Sequence, residues 1–127
     1  MEVKTSGFIL YTLEYKKCVA FYRDILELKI LYKKEMLTCF DFYGSYLMVE
    51  VDDEHIGETA SISARDRTCI RLNVDNVKEA CKGLDQNNIP YDYAERDWGT
   101  IAKFRDPDGN LIGFRSAQEH ERDKQTI

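Results

Sequence analysis

Phe104-Arg105-Asp106-Pro107-Asp108-Gly109-Asn110-Leu111-Ile112-Gly113-Phe114 is the stretch whose reading decides the fold. Pro107 presets φ for an early turn position, and Gly109 or Asn110 supplies the positive φ that a reversal needs. Asp106 and Asp108 carry short acceptors able to bond the turn's own backbone. Apolar runs flank the turn, so it predicts a hairpin with arms Thr100–Arg105 and Leu111–Ser116.

Working outward, Tyr91–Asp97 reads as the strand before this hairpin. Before it, Val77, Ala80, Cys81 and Leu84 draw one apolar stripe on a helix that Asp75 caps and Asn87-Asn88-Ile89-Pro90 stops. Thr68–Val74 is the strand that precedes the helix. The first half shows the same order. Phe8–Leu13 is a strand, Glu14 is the acidic cap, and Cys18, Phe21, Tyr22, Ile25 and Leu26 form the stripe of a helix expected to end near Leu28. Lys29–Lys34, Met36–Tyr43 and Tyr46–Val51 follow as strands, the last two separated at Gly44-Ser45. Modules of about 7–51 and 68–117 are thus joined by a polar linker, 52–67, and followed by a charged tail, 118–127, read as a helical end. Each module alone is too small to bury a sizeable core. The expectation is one α+β domain over residues 1–127: two βαβββ modules whose mixed sheet curves, partly open, around a cavity.

Composition sets bounds. The chain has 127 residues, 43% hydrophobic and 32% charged, with a net charge of −5, so a nucleic-acid partner has no electrostatic support. No apolar run approaches the roughly 20 residues of a membrane span, and Met1–Gly7 lacks the pattern of a signal peptide. A cytoplasmic location, without membrane association, is therefore expected. Cys18, Cys39, Cys69 and Cys81 form no C-x-x-C pair and no zinc pattern. They read as reduced thiols, buried except where Cys69 is concerned.

The stretches Cys18-Val19-Ala20-Phe21-Tyr22-Arg23-Asp24-Ile25-Leu26, Leu72-Asn73-Val74-Asp75-Asn76-Val77 and Asp106-Pro107-Asp108-Gly109-Asn110 resemble the first helix, the entry to the second helix and the last turn of the vicinal oxygen chelate superfamily. That superfamily includes glyoxalase I, extradiol dioxygenases and bleomycin-resistance proteins. The resemblance implies a glyoxalase/bleomycin-resistance/dioxygenase fold and a homodimer. It also implies four metal-ligand positions, filled in the metal enzymes by His, Glu or Gln. These fall here at Gly7, Cys69 and Gly113, with either Glu50 or Met48 as the fourth. Glycine has no ligating side chain, and a thiol with one carboxylate is not the hard donor set of Mg²⁺, Mn²⁺, Ni²⁺ or Fe²⁺. Neither metal nor other cofactor is expected.

Strand alternation puts Ile9 and Tyr11 on the face of Gly7, Arg71 and Asn73 on that of Cys69, and Leu111 and Arg115 on that of Gly113. The two glycines either open space for a ligand or simply mark lost ligands. Arg71 and Arg115 suit a carboxylate or phosphate, or else pair with surface acids. Cys69 is a candidate thiol beside Arg71, or a small filler. Trp98, at a bend, is the candidate pocket wall. Tyr43, Tyr46, Tyr91 and Tyr93 either stack on a ligand or pack the sheets. Glu50 is a rim or general-base candidate, while His55 and His120 read as solvated. The candidate ligand-binding set is Tyr11, Glu50, Cys69, Arg71, Trp98 and Arg115, with no catalytic residue assigned. Three functions are compatible: a metal-free small-molecule binding protein for an apolar or aromatic ligand with an anionic group; a glyoxalase-type lyase, isomerase or dioxygenase with a partial or shifted metal site; and a non-catalytic dimeric interaction module. Whether the chain is an enzyme stays open at this point.

Overall fold

The structure, a computed structural model, describes residues 2, 4–52 and 68–124; linker residues 53–67, with His55, and the tail residues 125–127 lie outside the described residues. The chain divides into two compact units, Met1–Ala60 and Ser61–Ile127.

In the first unit, β1 (Gly7–Thr12), α1 (Tyr15–Ala20), β2 (Ile30–Lys34), β3 (Leu37–Phe42) and β4 (Ser45–Val51) give a four-stranded mixed sheet in the order β1-β4-β3-β2. β1 runs parallel to β4, and the other pairs are antiparallel. Period-two alternation sends Thr12, Thr38, Phe40, Leu47 and Val49 to one buried face. There they meet the stripe of α1, where Tyr22 lies 6.3 Å from the ring of Phe40. The two buried threonines are satisfied: Thr12 Oγ1 donates to the Glu50 carbonyl at 3.0 Å, and Tyr15 Oη and Thr38 Oγ1 share a hydrogen bond at 2.7 Å. The helix departs from its expected course to Leu28. From Phe21 to Ile25 it widens into a π turn, with the Leu26 N–H donating to the Phe21 carbonyl, and Glu27 at φ 58° ends it. The wider turn keeps Phe21, Tyr22 and Leu28 all buried, whereas Ile25 and Leu26 are half-buried. Tyr43 and Gly44, at φ 54° and 93°, form the tight turn between β3 and β4.

The second unit repeats the plan with β5 (Ile70–Val74), α2 (Val77–Gln86), β6 (Asp92–Arg96), β7 (Gly99–Arg105) and β8 (Leu111–Ser116), then α3 (Ala117–Lys124). Its sheet order is β5-β8-β7-β6, with β5 parallel to β8. Leu72, Ala102, Phe104, Ile112 and Phe114 are buried with Val77, Cys81 and Leu84 of α2. The cap of α2 is Asn76, one residue beyond the expected Asp75. Asn76 keeps an extended backbone, and its side chain accepts from the Glu79 N–H at 3.0 Å. Glu14 is the N-cap residue of α1, without a side-chain capping bond. Cys18, Cys39 and Cys81 are buried and Cys69 is exposed; all four are free thiols.

The hairpin turn closes on Asp106, only 5% exposed. One of its carboxylate oxygens accepts from the backbone N–H groups of Asp108 and Asn110, at 2.9 and 2.8 Å; the other accepts from Asn110 Nδ2 at 2.8 Å. Gly109, at φ 91°, supplies the positive φ. Replacing Asp106 by Ala strands two backbone donors in a part-buried turn. We expect a loss of about 1–3 kcal/mol, read as a lower urea midpoint at unchanged m-value; an unchanged midpoint would contradict this account of the turn.

Candidate functional site

One face of each sheet is covered by a helix; the chemistry lies on the other. In the second unit, register puts Arg71 opposite Gly113, Gly113 opposite Lys103, and Lys103 opposite Asp92, in one row across four strands. The next row contains Asn73, Arg115 and Ile101. Arg105 and Arg96 lie on the same face by alternation. The strands of this face therefore carry five cations, Arg71, Arg96, Lys103, Arg105 and Arg115, against Asp92, with Glu119 beside Gly99. Among the described residues, the side chains of Arg71, Arg96 and Lys103 have no hydrogen bond or ion pair. Arg71 thus lacks the surface-acid partner that a strand arginine commonly takes.

Gly113 is buried, and its neighbours explain why. A methyl group on it would stand 3.3 Å from Cys69 Sγ and 3.6 Å from Arg71 Nε. The space left by the missing side chain is thus filled by a guanidinium and a thiol from β5 and its start. Arg115 and Trp98 meet: Arg115 Nη2 donates to the Trp98 carbonyl at 3.1 Å, and the guanidinium lies 5.5 Å from the ring centre. Glu119 of α3 packs beside Gly99. The Ser116 hydroxyl, then its own backbone N–H and the Arg122 and Arg115 charges, hold its carboxyl below the usual range.

In the first unit, Gly7, Ile9 and Tyr11 share a face with Tyr46, Met48 and Glu50, their partners on β4. Tyr11 is 59% exposed and pairs with Glu50. Tyr32 covers buried Cys39, and the hydrogen bond between them raises the Tyr32 hydroxyl's pKa. Gly7 leaves no vacancy, because a methyl group there would stand 2.5 Å from the Tyr46 ring. This face carries Tyr11, Tyr46 and one thioether, Met48, while that of the second unit is cationic.

Other expected aromatics are engaged elsewhere. Tyr91 Oη donates to Asp85 at 2.9 Å and Tyr93 Oη to Glu95 at 2.8 Å. The second bond pushes the Tyr93 pKa up to about 12. Tyr43 stands out at its turn, and His120 is half-buried on α3. Sequence reasoning missed Lys103, Arg96 and Arg105, although counting alternate positions along β7 from the hairpin would have found two of them. It also missed an open groove of about 560 Å³ lined by Ile89, Pro90, Lys103, Arg105 and Leu111, among others.

Comparison with known families matches residues 6–119 to the glyoxalase-like domain. The chain belongs to the glyoxalase-like domain family. Solved structures agree on the fold. Trypanothione-dependent glyoxalase I from Leishmania major superposes with a TM-score of 0.78 at 16% identity, covering 98% of this chain and 94% of that one. Lactoylglutathione lyase from Agrobacterium tumefaciens gives 0.72 at 19%, covering 93% and 96%. TnmS3, an antibiotic-binding protein from a Streptomyces species, gives 0.69 at 18%, covering 91% and 96%. Comparison with curated proteins finds no match.

Within the glyoxalase-like fold, pairing register separates Glu50 from Met48. Ile9 lies five residues before the N-cap Glu14, and Arg71 lies five before the N-cap Asn76. Ile9 pairs with Met48 as Arg71 pairs with Gly113. Met48 is therefore the counterpart of Gly113, and Glu50 that of Arg115. The four positions assigned by resemblance then hold glycine, a thioether, a thiol and glycine. That set offers no carboxylate or imidazole and does not fit the metal of the family's enzymes. Among the described residues, no group of three or more His, Cys, Asp or Glu is placed to hold an ion.

The Gly7–Tyr46 contact gives a test. Gly7→Ala is expected to destabilise by about 1–3 kcal/mol through overpacking. Tyr46→Ala in the same chain should recover part of that loss in a double-mutant cycle of urea midpoints. Additive losses would mean that the ring does not fill the glycine's place.

Proposed function

We propose that this protein is a metal-free small-molecule binding protein of the glyoxalase-like family, taking an apolar or aromatic ligand that bears an anionic group. The observation that carries the reading is Arg71, a guanidinium without a protein partner among the described residues, lying over Gly113 where the family's metal enzymes hold a ligand. A bare guanidinium on a sheet face is a fork of donors matched to a carboxylate or phosphoryl group. Arg115 lies one step along the same strand, with Trp98 beside it as an aromatic wall. On the first unit, exposed Tyr11 shares a face with Tyr46, Met48 and Glu50; on the second, Cys69 is a neighbour of Arg71. No step of chemistry is assigned to any of them. A cytoplasmic homodimer is the proposed state, from the resemblance to a family whose members often pair. Among the described residues, no helix is long and apolar enough to cross a membrane.

Two measurements on one preparation test this reading. Metal analysis of protein purified without chelator should return far less than one equivalent of Mn, Fe, Ni or Zn. A thermal-shift panel of aromatic carboxylates, aromatic phosphonates and neutral aromatics should contain compounds that raise the midpoint, since a ligand that binds only the folded state stabilises it. A stoichiometric transition metal in that preparation would overturn the proposal.

A further inference from the structure

The row Arg71–Gly113–Lys103 narrows the ligand class. Successive strands lie about 4.8 Å apart, so the backbone positions of Arg71 and Lys103 are separated by about 10 Å with Gly113 between them. Glycine at the centre of the row raises no side chain between the two cations. Arg71 makes use of this, its Nε lying 3.6 Å from where a Gly113 methyl would be. Lys103 flanks the glycine from β7, and neither cation has an ion-pair or hydrogen-bond partner among the described residues. Arg115 follows along β8 and Arg105 along β7, the latter donating to the Gly109 carbonyl at 3.0 Å. The one carboxylate in the row, Asp92, sits beyond Lys103 on the edge strand β6. Leaving cations unpaired on one face of a chain of net charge −5 creates a local positive field that repels cationic ligands and attracts anions.

We propose that the row is an oxyanion site. In it, Arg71 and Lys103 clamp one phosphoryl, phosphonyl or carboxylate group of the ligand from the two strands that flank Gly113. Arg71 supplies a planar fork and Lys103 a point charge. Gly113 keeps the space between the two cations free of a side chain; a methyl there would stand 3.3 Å from Cys69 Sγ and in ordinary contact with Arg71 Nε at 3.6 Å, so a branched side chain is needed to displace the guanidinium. This rests on the binding function proposed above and adds Lys103 as the second cation that holds the anionic group.

The test is titration calorimetry of the full chain at pH 8 with phenylphosphonate, benzoate, inorganic phosphate and neutral benzyl alcohol. Phenylphosphonate is expected to bind at least tenfold more tightly than benzyl alcohol. Inorganic phosphate is expected to compete with it, since the clamp grips the oxyanion and not the ring. Arg71→Met and Lys103→Met should each weaken phenylphosphonate tenfold or more while leaving benzyl alcohol unchanged, and Arg71→Lys should restore part of the loss. Both residues are exposed, and an unchanged thermal midpoint of each unliganded variant confirms folding. Gly113→Val should mimic Arg71→Met. Benzyl alcohol binding as tightly as phenylphosphonate, or phenylphosphonate binding unaltered in both Met variants, would overturn the oxyanion site and leave the small-molecule binding function standing. Absence of binding by all four compounds would overturn the site as well, and a stoichiometric metal in that preparation would remove the binding function with it.

Discussion

Parallel pairing of β5 with β8 sets Arg71 against Gly113, and the chemistry of the second unit follows from that register. Side chains alternate with a period of two, so a slip of one residue would bring Leu72 and Phe114 to the open face and send the arginines into the core. Two buried layers forbid the slip. Leu72, Ile112 and Phe114 are packed under α2, with Phe114 4.8 Å from Phe104. The Asp106 turn fixes where β8 begins, because its carboxylate is tied to the backbone on both sides of Gly109. Core packing, turn chemistry and the cationic face therefore share one constraint.

The same constraint explains what the glycines do. A glycine in a strand is weak unless a neighbour covers it. Here two neighbours do, in different ways. Tyr46 lays an aromatic ring over Gly7, and Arg71 with Cys69 lies over Gly113. The first contact fills space on an aromatic face. The second holds a charge at a defined place. Equivalent positions in the two repeats have thus taken opposite characters, one apolar and one cationic.

Much of this was legible in the sequence. The Asp-Pro-Asp-Gly turn, the two apolar stripes and the repeated strand order lead to two mixed four-stranded sheets, each with a helix. Alternation also placed Arg71 and Arg115 on the face of Cys69 and Gly113. What escaped depends on contacts between residues far apart in the chain. Glu50 and Met48 both lie on the open face of β4, and only pairing with β1 tells which one matches Gly113. Lys103 gains meaning only when β7 is set beside β8. The shift of the cap from Asp75 to Asn76 and the π turn after Ala20 are adjustments of a residue or less, made so that buried side chains meet. Of the two readings of the glycines, open space or lost ligands, the Gly7 position is taken by the Tyr46 ring, while Gly113 is bordered by Cys69 and Arg71.

We propose that the positions which the family resemblance assigns to metal ligands bind no metal ion in this chain. Paramagnetic broadening of backbone amide resonances by Mn²⁺ addresses it residue by residue. At one equivalent of Mn²⁺, the amides of Gly7, Met48, Cys69 and Gly113 should keep the same relative intensity as the rest of the two sheets. Selective disappearance of those four signals, reversed by chelator, would contradict the account.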